Sequence, residues 1–291
     1  MMFDQVISNK RKSIALIVAF VLLIIGVGAA IGYVLKFGWI GLLIAVPIAA
    51  IGAITSYYSS DKVALAMAGA RPADPAQFAQ LNNLVESMAI AAGLPKPAVY
   101  VVDDPAPNAF ATGRNPDHAA IAVTTGLLQI MNRVELEGVI AHEMSHIKNY
   151  DILVGTIAVI CVGVVVIGTD IAARMLWFRD NDRSGGNPIF MVIGILTIIL
   201  APIAAMAMKA AISRRRETLA DFSGVELTRY PPGLIGALEK LKNDQAVVRH
   251  HSNAIAHLYI ESPSETRKSW LNRLFETHPP IDERIAALRS M

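Results

Sequence analysis

The stretch from Asn132 to Asp151, NRVELEGVIAHEMSHIKNYD, constrains the fold most, because it predicts one helix with a defined polar face. Asn132 is a favourable N-cap, and Glu135 three residues later completes a capping-box pattern. His142 and His146 are four residues apart and therefore lie on one face of this helix. Apolar residues at helical spacing form a separate stripe: Leu136, Ile140, Met144 and Ile147.

Glu143 completes the H-E-x-x-H arrangement of zinc peptidases. One helical turn brings the imidazoles of His142 and His146 within reach of one zinc ion. The adjacent carboxylate can then take a proton from a water that the metal activates. The alternative is a polar helix face that carries two histidines by chance. With 7 His in 291 residues, that coincidence is expected in under roughly one chain in a hundred.

The composition indicates a membrane protein. The chain is 54% hydrophobic and 17% charged, with a mean hydropathy of +0.45, whereas about a quarter of the residues of a soluble domain are charged. The net charge of +2 gives no basis for nucleic-acid binding. The single cysteine, Cys161, excludes a disulfide framework within the chain.

Four apolar runs are predicted to be membrane spans in two hairpins. Ile14–Leu35 and Trp39–Tyr58 are each long enough to cross a bilayer. Ile152–Thr169 and Pro188–Met208 are shorter and more interrupted, so two long core helices of a soluble protein are the alternative. Lys and Arg flank the spans mainly on one side, which predicts that both termini and the soluble parts lie in the cytoplasm.

The predicted fold class is α+β and mainly helical, with a cytoplasmic protease domain that carries a small β-sheet. Ala98–Val102 and Ala119–Thr124 are predicted strands, and Asn108–Gly113, NAFATG, is a predicted loop between them. The chain is divided into a basic head with the first hairpin, a protease part with the motif helix, the second hairpin, and a protease part with the third zinc ligand: residues 1–58, 59–151, 152–209 and 210–291.

The third zinc ligand must come from later in the chain, because a catalytic zinc needs three protein ligands and one open position. RRRETLAD, residues 214–221, predicts a helix on which Glu217 and Asp221 are one turn apart. Glu217 is the best candidate for the ligand, and Asp221 for the acceptor of the outward N–H of a ligand histidine. A solvated helix face is the alternative for this pair, and Glu226 and Glu239 are weaker ligand candidates.

The sequence THPP, residues 277–280, precedes the last predicted helix, Ile281–Arg289, and places Thr277 or His278 at its cap. A cap residue followed by proline is ordinary helix-start chemistry, and the spacing favours that structural interpretation. A functional His278 would instead help to hold the oxyanion of the tetrahedral species.

Together, the paired spans and the segments AHEMSHIKNYD, RRRETLAD and HPPIDER resemble the HtpX-type membrane zinc endopeptidases, whose broader relatives include the CAAX prenyl-protein endopeptidases. The similarity covers nearly the whole chain. It implies a gluzincin-like protease with one zinc ion per chain, held by His142, His146 and Glu217, and with Glu143 as general base. CAAX-type processing is an alternative, but those relatives have more than four spans.

The resemblance further implies a place and partners for the enzyme. It would face the cytoplasm from a bacterial inner membrane and act in the stress response on damaged membrane proteins. Its partners would be unfolded or membrane-protein polypeptides, the lipid bilayer and other membrane quality-control proteases. The NAFATG segment would lie by the substrate cleft and contribute Asn108, Ala109 and Phe110. The match to HPP also raises the case for a site role of His278.

A substrate could also bind as an added strand along Ala119–Thr124, which carries no charge to discourage pairing at its edge. The residues predicted to bind substrate in this way are Ala119, Ala120, Ile121 and Ala122. The alternative is a core strand that is paired on both edges.

Two functions compete with the enzyme. A catalytically silent membrane scaffold or adaptor could lose Glu143, but this chain retains the base and all three candidate ligands. A metal sensor would favour a closed site with four ligands, and no fourth close ligand stands out.

Overall fold

The computed structural model describes residues 2–34, 61–158, 214–244 and 279–291, together with residues 43, 47, 54, 57–59, 258 and 260. Residues 61–67 and 151–158 are also helical. The labelled elements are, in chain order, α1 (Met2–Val34), β1 (Ala70–Pro72), α2 (Ala79–Ala92), β2 (Ala98–Val102), β3 (Ala109–Gly113), β4 (Ala119–Thr124), α3 (Thr125–Ile130), α4 (Arg133–Lys148), α5 (Arg214–Thr228), α6 (Pro231–Asn243) and α7 (Ile281–Arg289).

The four strands form one sheet in the order β1-β2-β4-β3. β2 and β4 are parallel, and the β1–β2 and β3–β4 pairs are antiparallel. The strands predicted at Ala98–Val102 and Ala119–Thr124 are confirmed with those bounds. At the end of β4, the Thr124 hydroxyl accepts a hydrogen bond from the Leu127 amide and starts α3. The described part of the chain is therefore mainly helical with a small sheet.

Two predictions about this sheet are wrong. Residues 109–113 of the predicted NAFATG loop form β3, because their backbone pairs with β4 and every side chain is buried. Small residues have low strand propensity, so pairing and burial decide their conformation. β4 has neighbours on both sides, so it has no free edge to accept a substrate. The predicted edge-strand contacts therefore fail for all four residues: Ala119, Ala120, Ile121 and Ala122.

The motif helix α4 begins with the predicted capping box. The Asn132 side chain accepts hydrogen bonds from the amides of Val134 and Glu135 at 2.9 and 3.0 Å. The Glu135 carboxylate accepts from the Asn132 amide at 2.7 Å. Lys240 of α6 donates to the same carboxylate at 2.6 Å, which ties the start of α4 to a neighbouring helix. Local sequence and a tertiary ion pair therefore fix the same helix end.

Close backbone approach places α5 and α6 against α4. A Cβ on Gly224 of α5 would lie 3.0 Å from the His142 amide nitrogen, and one on Gly138 of α4 would lie 2.7 Å from the Leu234 amide nitrogen. These contacts leave no room for a larger side chain at either glycine. The predicted apolar stripe of α4 lies in the main core: Leu136, Ile140, Met144 and Ile147. α5 is thus held close enough to α4 for their polar side chains to meet.

Within the described part of the chain, no helix is both long enough and apolar enough to cross a membrane. The predicted span Ile14–Leu35 falls mostly on α1. The other three lie wholly or largely outside the described residues: Trp39–Tyr58, Ile152–Thr169 and Pro188–Met208. The four spans and the division of the chain that depends on them stay predictions.

Candidate metal centre

Three side chains from α4 and α5 converge on one point. Nε2 of His142 and Nε2 of His146 are 3.1 Å apart. The Glu217 carboxylate lies 3.7 Å from the first of these nitrogens and 3.6 Å from the second. Among the described residues, these three form the group of His, Cys, Asp or Glu side chains that could hold a metal ion.

The spacing of this group fits zinc. Ligands that lie about 2.0–2.1 Å from one tetrahedral zinc ion are about 3.3–3.4 Å from one another. The three observed separations are close to that value. Two imidazoles and one carboxylate are also a donor set of catalytic zinc sites that keep a fourth position open. His142, His146 and Glu217 would therefore hold the ion.

An acidic residue on α5 orients His142. Asp221 Oδ1 lies 2.9 Å from His142 Nδ1, on the side of the ring that faces away from the metal position. Arg284 of α7 donates two hydrogen bonds to the Asp221 carboxylate, from Nη2 at 2.7 Å and from Nε at 2.9 Å. All three side chains are buried. A bidentate pair of this kind fixes the carboxylate in both position and plane.

A different acidic residue orients His146. Asp151 Oδ2 lies 3.0 Å from His146 Nδ1. The other carboxylate oxygen, Oδ1, accepts a hydrogen bond from Asn9 Nδ2 at 2.7 Å, and Nη1 of Arg216 is 3.6 Å away. Each candidate histidine ligand thus has its own carboxylate behind it, as is usual for histidines that bind metal.

The buried charges shift the pKa values of the site. Burial lowers the pKa of His142, but hydrogen bonds to Asp221 and Glu217 outweigh burial and raise that pKa to about 9. Burial also lowers the pKa of His146, and the carboxylates of Glu217 and Asp151 outweigh it. Burial raises the pKa of Asp221, but Arg284 and His142 lower it to about 2. Without metal, His142 is therefore protonated at neutral pH, and a metal ion must displace that proton.

A cleft opens beside the three candidate ligands, and Glu143 lines it. Glu143 is only 2% exposed, so its carboxylate acts in a poorly solvated space. The cleft is lined by residues of β3, α4, the helical residues 151–158 and α5, together with two residues near 260: Ala111, His142, Glu143, His146, Asp151, Ile152, Gly155, Arg216, Glu217, Leu258 and Ile260.

The remaining predicted site residues lie elsewhere. Asn108 is buried just before β3, at the open end of the β3–β4 ladder, where its main-chain amide donates to the Thr124 hydroxyl at 2.8 Å. Ala109 and Phe110 are buried in the sheet, and the cleft is lined by Ala111 of the same strand. His278 lies outside the described residues. Neither weaker ligand candidate belongs to the metal group, since Glu226 is exposed and Glu239 pairs with Arg289: both lie away from the cleft.

Sequence reasoning missed three residues that support the ligands: Asn9, Asp151 and Arg284. Asp151 ends the motif stretch, and Arg284 lies in the HPPIDER segment, so each had a local signal. Asn9 is 140 residues away from the turn it contacts, and nothing in its own neighbourhood indicates a role.

The fold and the His-His-Glu group define a zinc metallopeptidase, and residues 75–291 match Peptidase family M48. The chain belongs to this family and is a metallopeptidase whose cofactor is zinc. It is similar to the "Protease HtpX homolog" of Streptococcus gordonii, with 48% identity over the full length of both chains. The corresponding protein of Streptococcus pneumoniae is 47% identical, again over both full lengths. The resemblance to HtpX-type proteases is confirmed.

A solved structure also resembles this fold. The crystal structure of S. mikatae Ste24p matches with a TM-score of 0.50 and 19% identity, covering 98% of this chain and 67% of that one. At this identity, the likeness supports the fold alone.

Proposed function

We propose that this chain is a membrane-anchored zinc endopeptidase that hydrolyses damaged or misfolded membrane proteins on the cytoplasmic side of a bacterial membrane. One observation carries the chemistry. Glu143 lines the same cleft as the three converging side chains of His142, His146 and Glu217. The similarity to HtpX homologues over their full lengths supports a membrane protease.

Glu143 is the general base in this proposal. Its carboxylate takes a proton from the attacking water and then delivers it to the amine that leaves. The zinc ion, when bound, supplies Lewis acidity and lowers the pKa of water. Asp221 and Asp151 accept the outward N–H groups of the two histidines, which keeps each Nε2 available for the ion.

The outer edge of β3 is the proposed substrate edge. The Thr124 amide donates to the Asn108 carbonyl across the β3–β4 pair. Main-chain groups alternate along an antiparallel ladder, so those of Ala111 point away from β4. Ala111 also lines the cleft. A peptide added along this edge would bring its carbonyl groups past Glu143 and would be read mainly through its backbone.

The Ile260 amide donates to the Ala109 carbonyl at 3.0 Å, on the same outer side of β3. This contact covers the end of the edge next to Ala109. At the other end of the edge, the Gly113 amide and carbonyl each contact the Thr156 hydroxyl at 3.3 Å. An added peptide would therefore pair at Ala111, between these two contacts. Recognition through the backbone suits an enzyme that must accept many unfolded sequences, which supports a role in quality control.

Zinc-dependent cleavage of an unfolded protein tests the proposed function. The full chain is purified metal-free in detergent, zinc is added back, and cleavage of casein is followed against that of a folded globular protein. We expect casein to be cleaved only after zinc is restored. A zinc-loaded chain that cleaves neither casein nor misfolded membrane proteins would overturn the proposal.

Two alanine-to-proline variants test the substrate edge. Proline at Ala111 removes an N–H that points away from β4, so folding and zinc content should survive while the KM for casein rises. The matched control is Ala122→Pro, which removes an N–H of the central strand β4 and should prevent folding. An unchanged KM in folded, zinc-loaded Ala111→Pro would exclude this edge as the substrate site.

A further inference from the structure

The head of α1 reaches the candidate metal centre through one side chain. Asn9 is 0% exposed. Its Nδ2 donates to Asp151 Oδ1 at 2.7 Å and lies 2.9 Å from the Asn149 carbonyl oxygen. The other oxygen of Asp151 contacts His146 Nδ1 at 3.0 Å. A continuous series of polar contacts therefore runs from the N-terminal helix to a candidate zinc ligand.

The turn that Asn9 contacts contains a residue in an unfavourable backbone conformation. Tyr150 follows α4 with φ of 60°, in the left-handed region that bulky residues disfavour. Nζ of Lys10 lies 4.2 Å from the centroid of the Tyr150 ring. Two consecutive residues of α1 thus hold three consecutive residues of this turn, the last of which is Asp151.

Asn9 lies closer to the Asp151 carboxylate, at 2.7 Å, than His146 at 3.0 Å or Arg216 at 3.6 Å. Arg216 approaches the same Oδ1, but its Nη1 is 3.6 Å away, beyond ordinary hydrogen-bond distance. The direction of the carboxylate matters because its other oxygen must face His146 Nδ1. When that nitrogen carries the proton, Nε2 is left to bind metal.

We propose that Asn9 is a positioning residue of the metal centre. It holds the Asp151 carboxylate in place, and through that carboxylate it fixes the tautomer and ring plane of His146. The helix that carries the first predicted membrane span thereby becomes part of the protease site. This inference rests on the proposed function in one respect, namely that His146 is a zinc ligand.

Zinc affinity of the full chain in detergent tests this role without turnover. We expect Asn9→Leu to raise the zinc dissociation constant about 3- to 10-fold, less than the about 10- to 100-fold typical of residues that contact a ligand directly. Asn9→Asp keeps size and polarity but sets a second carboxylate against Asp151, so the loss should be at least as large. The visible spectrum of the cobalt-substituted chain should shift in both variants.

Ser13→Ala is the matched control for burial on the same helix. Ser13 lies one turn after Asn9 and is 1% exposed, and its hydroxyl has no hydrogen-bond partner among the described residues. Its removal should leave the zinc affinity within about twofold, because no polar contact is lost.

A double-mutant cycle separates positioning from general packing. If Asn9 acts through Asp151, then Asn9→Leu should have no further effect on zinc affinity in an Asp151→Ala background. Asn9→Asp is used in the same cycle if Asn9→Leu does not fold. Unchanged affinity and an unchanged cobalt spectrum in the single variants would overturn the inference, as would an equal loss in the Asp151→Ala background. A wild-type chain that binds zinc but cleaves nothing would overturn only the proposed function.

Discussion

The two histidines of the metal centre are supported in different ways. Behind His142, Asp221 is held by a buried arginine with two hydrogen bonds. Behind His146, Asp151 receives a short hydrogen bond from a neutral amide, Asn9. The His142 side chain is also more buried, at 1% exposed against 15% for His146. Each imidazole therefore has a carboxylate behind it. The Asp221 carboxylate is held by a buried ion pair, and the Asp151 carboxylate is held by the contact between α1 and the turn after α4.

This comparison shows that the two halves of the site depend on different parts of the chain. The His142 half joins α4, α5 and α7, and it should report on the integrity of the helical core. The His146 half joins α4 to α1, and it should report on the docking of the N-terminal helix. Glu217 contacts both halves, since it lies within 3.7 Å of each Nε2.

Removal of Glu217 should have the largest effect, because it takes a ligand from both halves at once. We expect Glu217→Ala to lose zinc binding and casein cleavage together, which is measured by zinc content after dialysis and by activity. The control is Glu226→Gln, an exposed carboxylate on the same helix, which should change neither. Full zinc affinity in Glu217→Ala would show that another residue is the third ligand.

Removal of either supporting carboxylate should weaken zinc binding, but the two removals should differ in their effect on stability. Asp221→Ala and Asp151→Ala should each weaken zinc binding about 10- to 100-fold. Asp221→Ala should also destabilise the metal-free fold by about 3–5 kcal/mol, because it leaves Arg284 buried without its partner. Asp151→Ala should cost less, since its hydrogen bond is with the neutral side-chain amide of Asn9, and the buried Arg216, 3.6 Å away, also interacts with the Glu217 carboxylate. Denaturant unfolding of the two metal-free variants measures this difference, and equal losses of stability would contradict the comparison.

Zinc affinity should depend on pH because zinc must displace a proton from His142. The pKa of His142 is raised to about 9 in the metal-free protein, so zinc must displace a proton at neutral pH. The apparent affinity should therefore rise with pH by up to about tenfold per unit until pH approaches 9. Chelator competition at a series of pH values measures this, and an affinity that is flat between pH 6.5 and 9 would exclude a raised pKa.

The shifted pKa values of His142 and Asp221 also make the stability of the metal-free protein depend on pH. The interactions that raise the pKa of His142 stabilise the metal-free fold. Their contribution is complete below pH 6.5, the ordinary pKa of histidine, and it is lost as the pH rises through about 9. A lowered pKa of Asp221 stabilises the fold above its ordinary 3.8, and this is lost as pH falls through about 2. From these two groups, the metal-free protein should be most stable between about pH 4 and 6.5. A stability maximum above pH 9 would contradict these directions.

Lys10→Met should have the smallest effect, and it sharpens the account of α1. The substitution removes the cation from the Tyr150 ring but leaves the Asn9 hydrogen bonds in place. An exposed cation–π contact contributes only about 0.5–1 kcal/mol, so zinc affinity should fall less than in Asn9→Leu. Chelator competition on both variants compares them. An equal or larger loss in Lys10→Met would indicate that the docking of α1, rather than the Asn9 amide, supports the turn.

Local rules predicted α4, including its capping box, because the helical period and the cap depend on residues a few positions apart. The same period predicted that His142 and His146 share a face and that Glu217 and Asp221 are one turn apart. The strand β3 was missed because alanine and glycine carry little strand propensity, and its pairing with β4 decides its conformation.

The supports of the ligands were harder to predict because they depend on tertiary contacts. Asp151 contacts His146 across a turn in which Tyr150 adopts a left-handed conformation, and the sequence does not signal that conformation. Arg284 reaches Asp221 from a helix 63 residues later, and Asn9 contacts the turn from the opposite end of the chain. Separations of this size are set by packing between helices and leave no periodic pattern in the sequence.

The central claim is that three side chains hold zinc while Glu143 acts only as the base, and one variant tests it directly. Glu143→Gln keeps the shape of the side chain but cannot accept the proton. We expect it to bind one zinc ion per chain with wild-type affinity and to lose casein cleavage by about 10²- to 10⁴-fold. Near-normal cleavage by zinc-loaded Glu143→Gln would contradict the claim, and so would loss of the zinc itself.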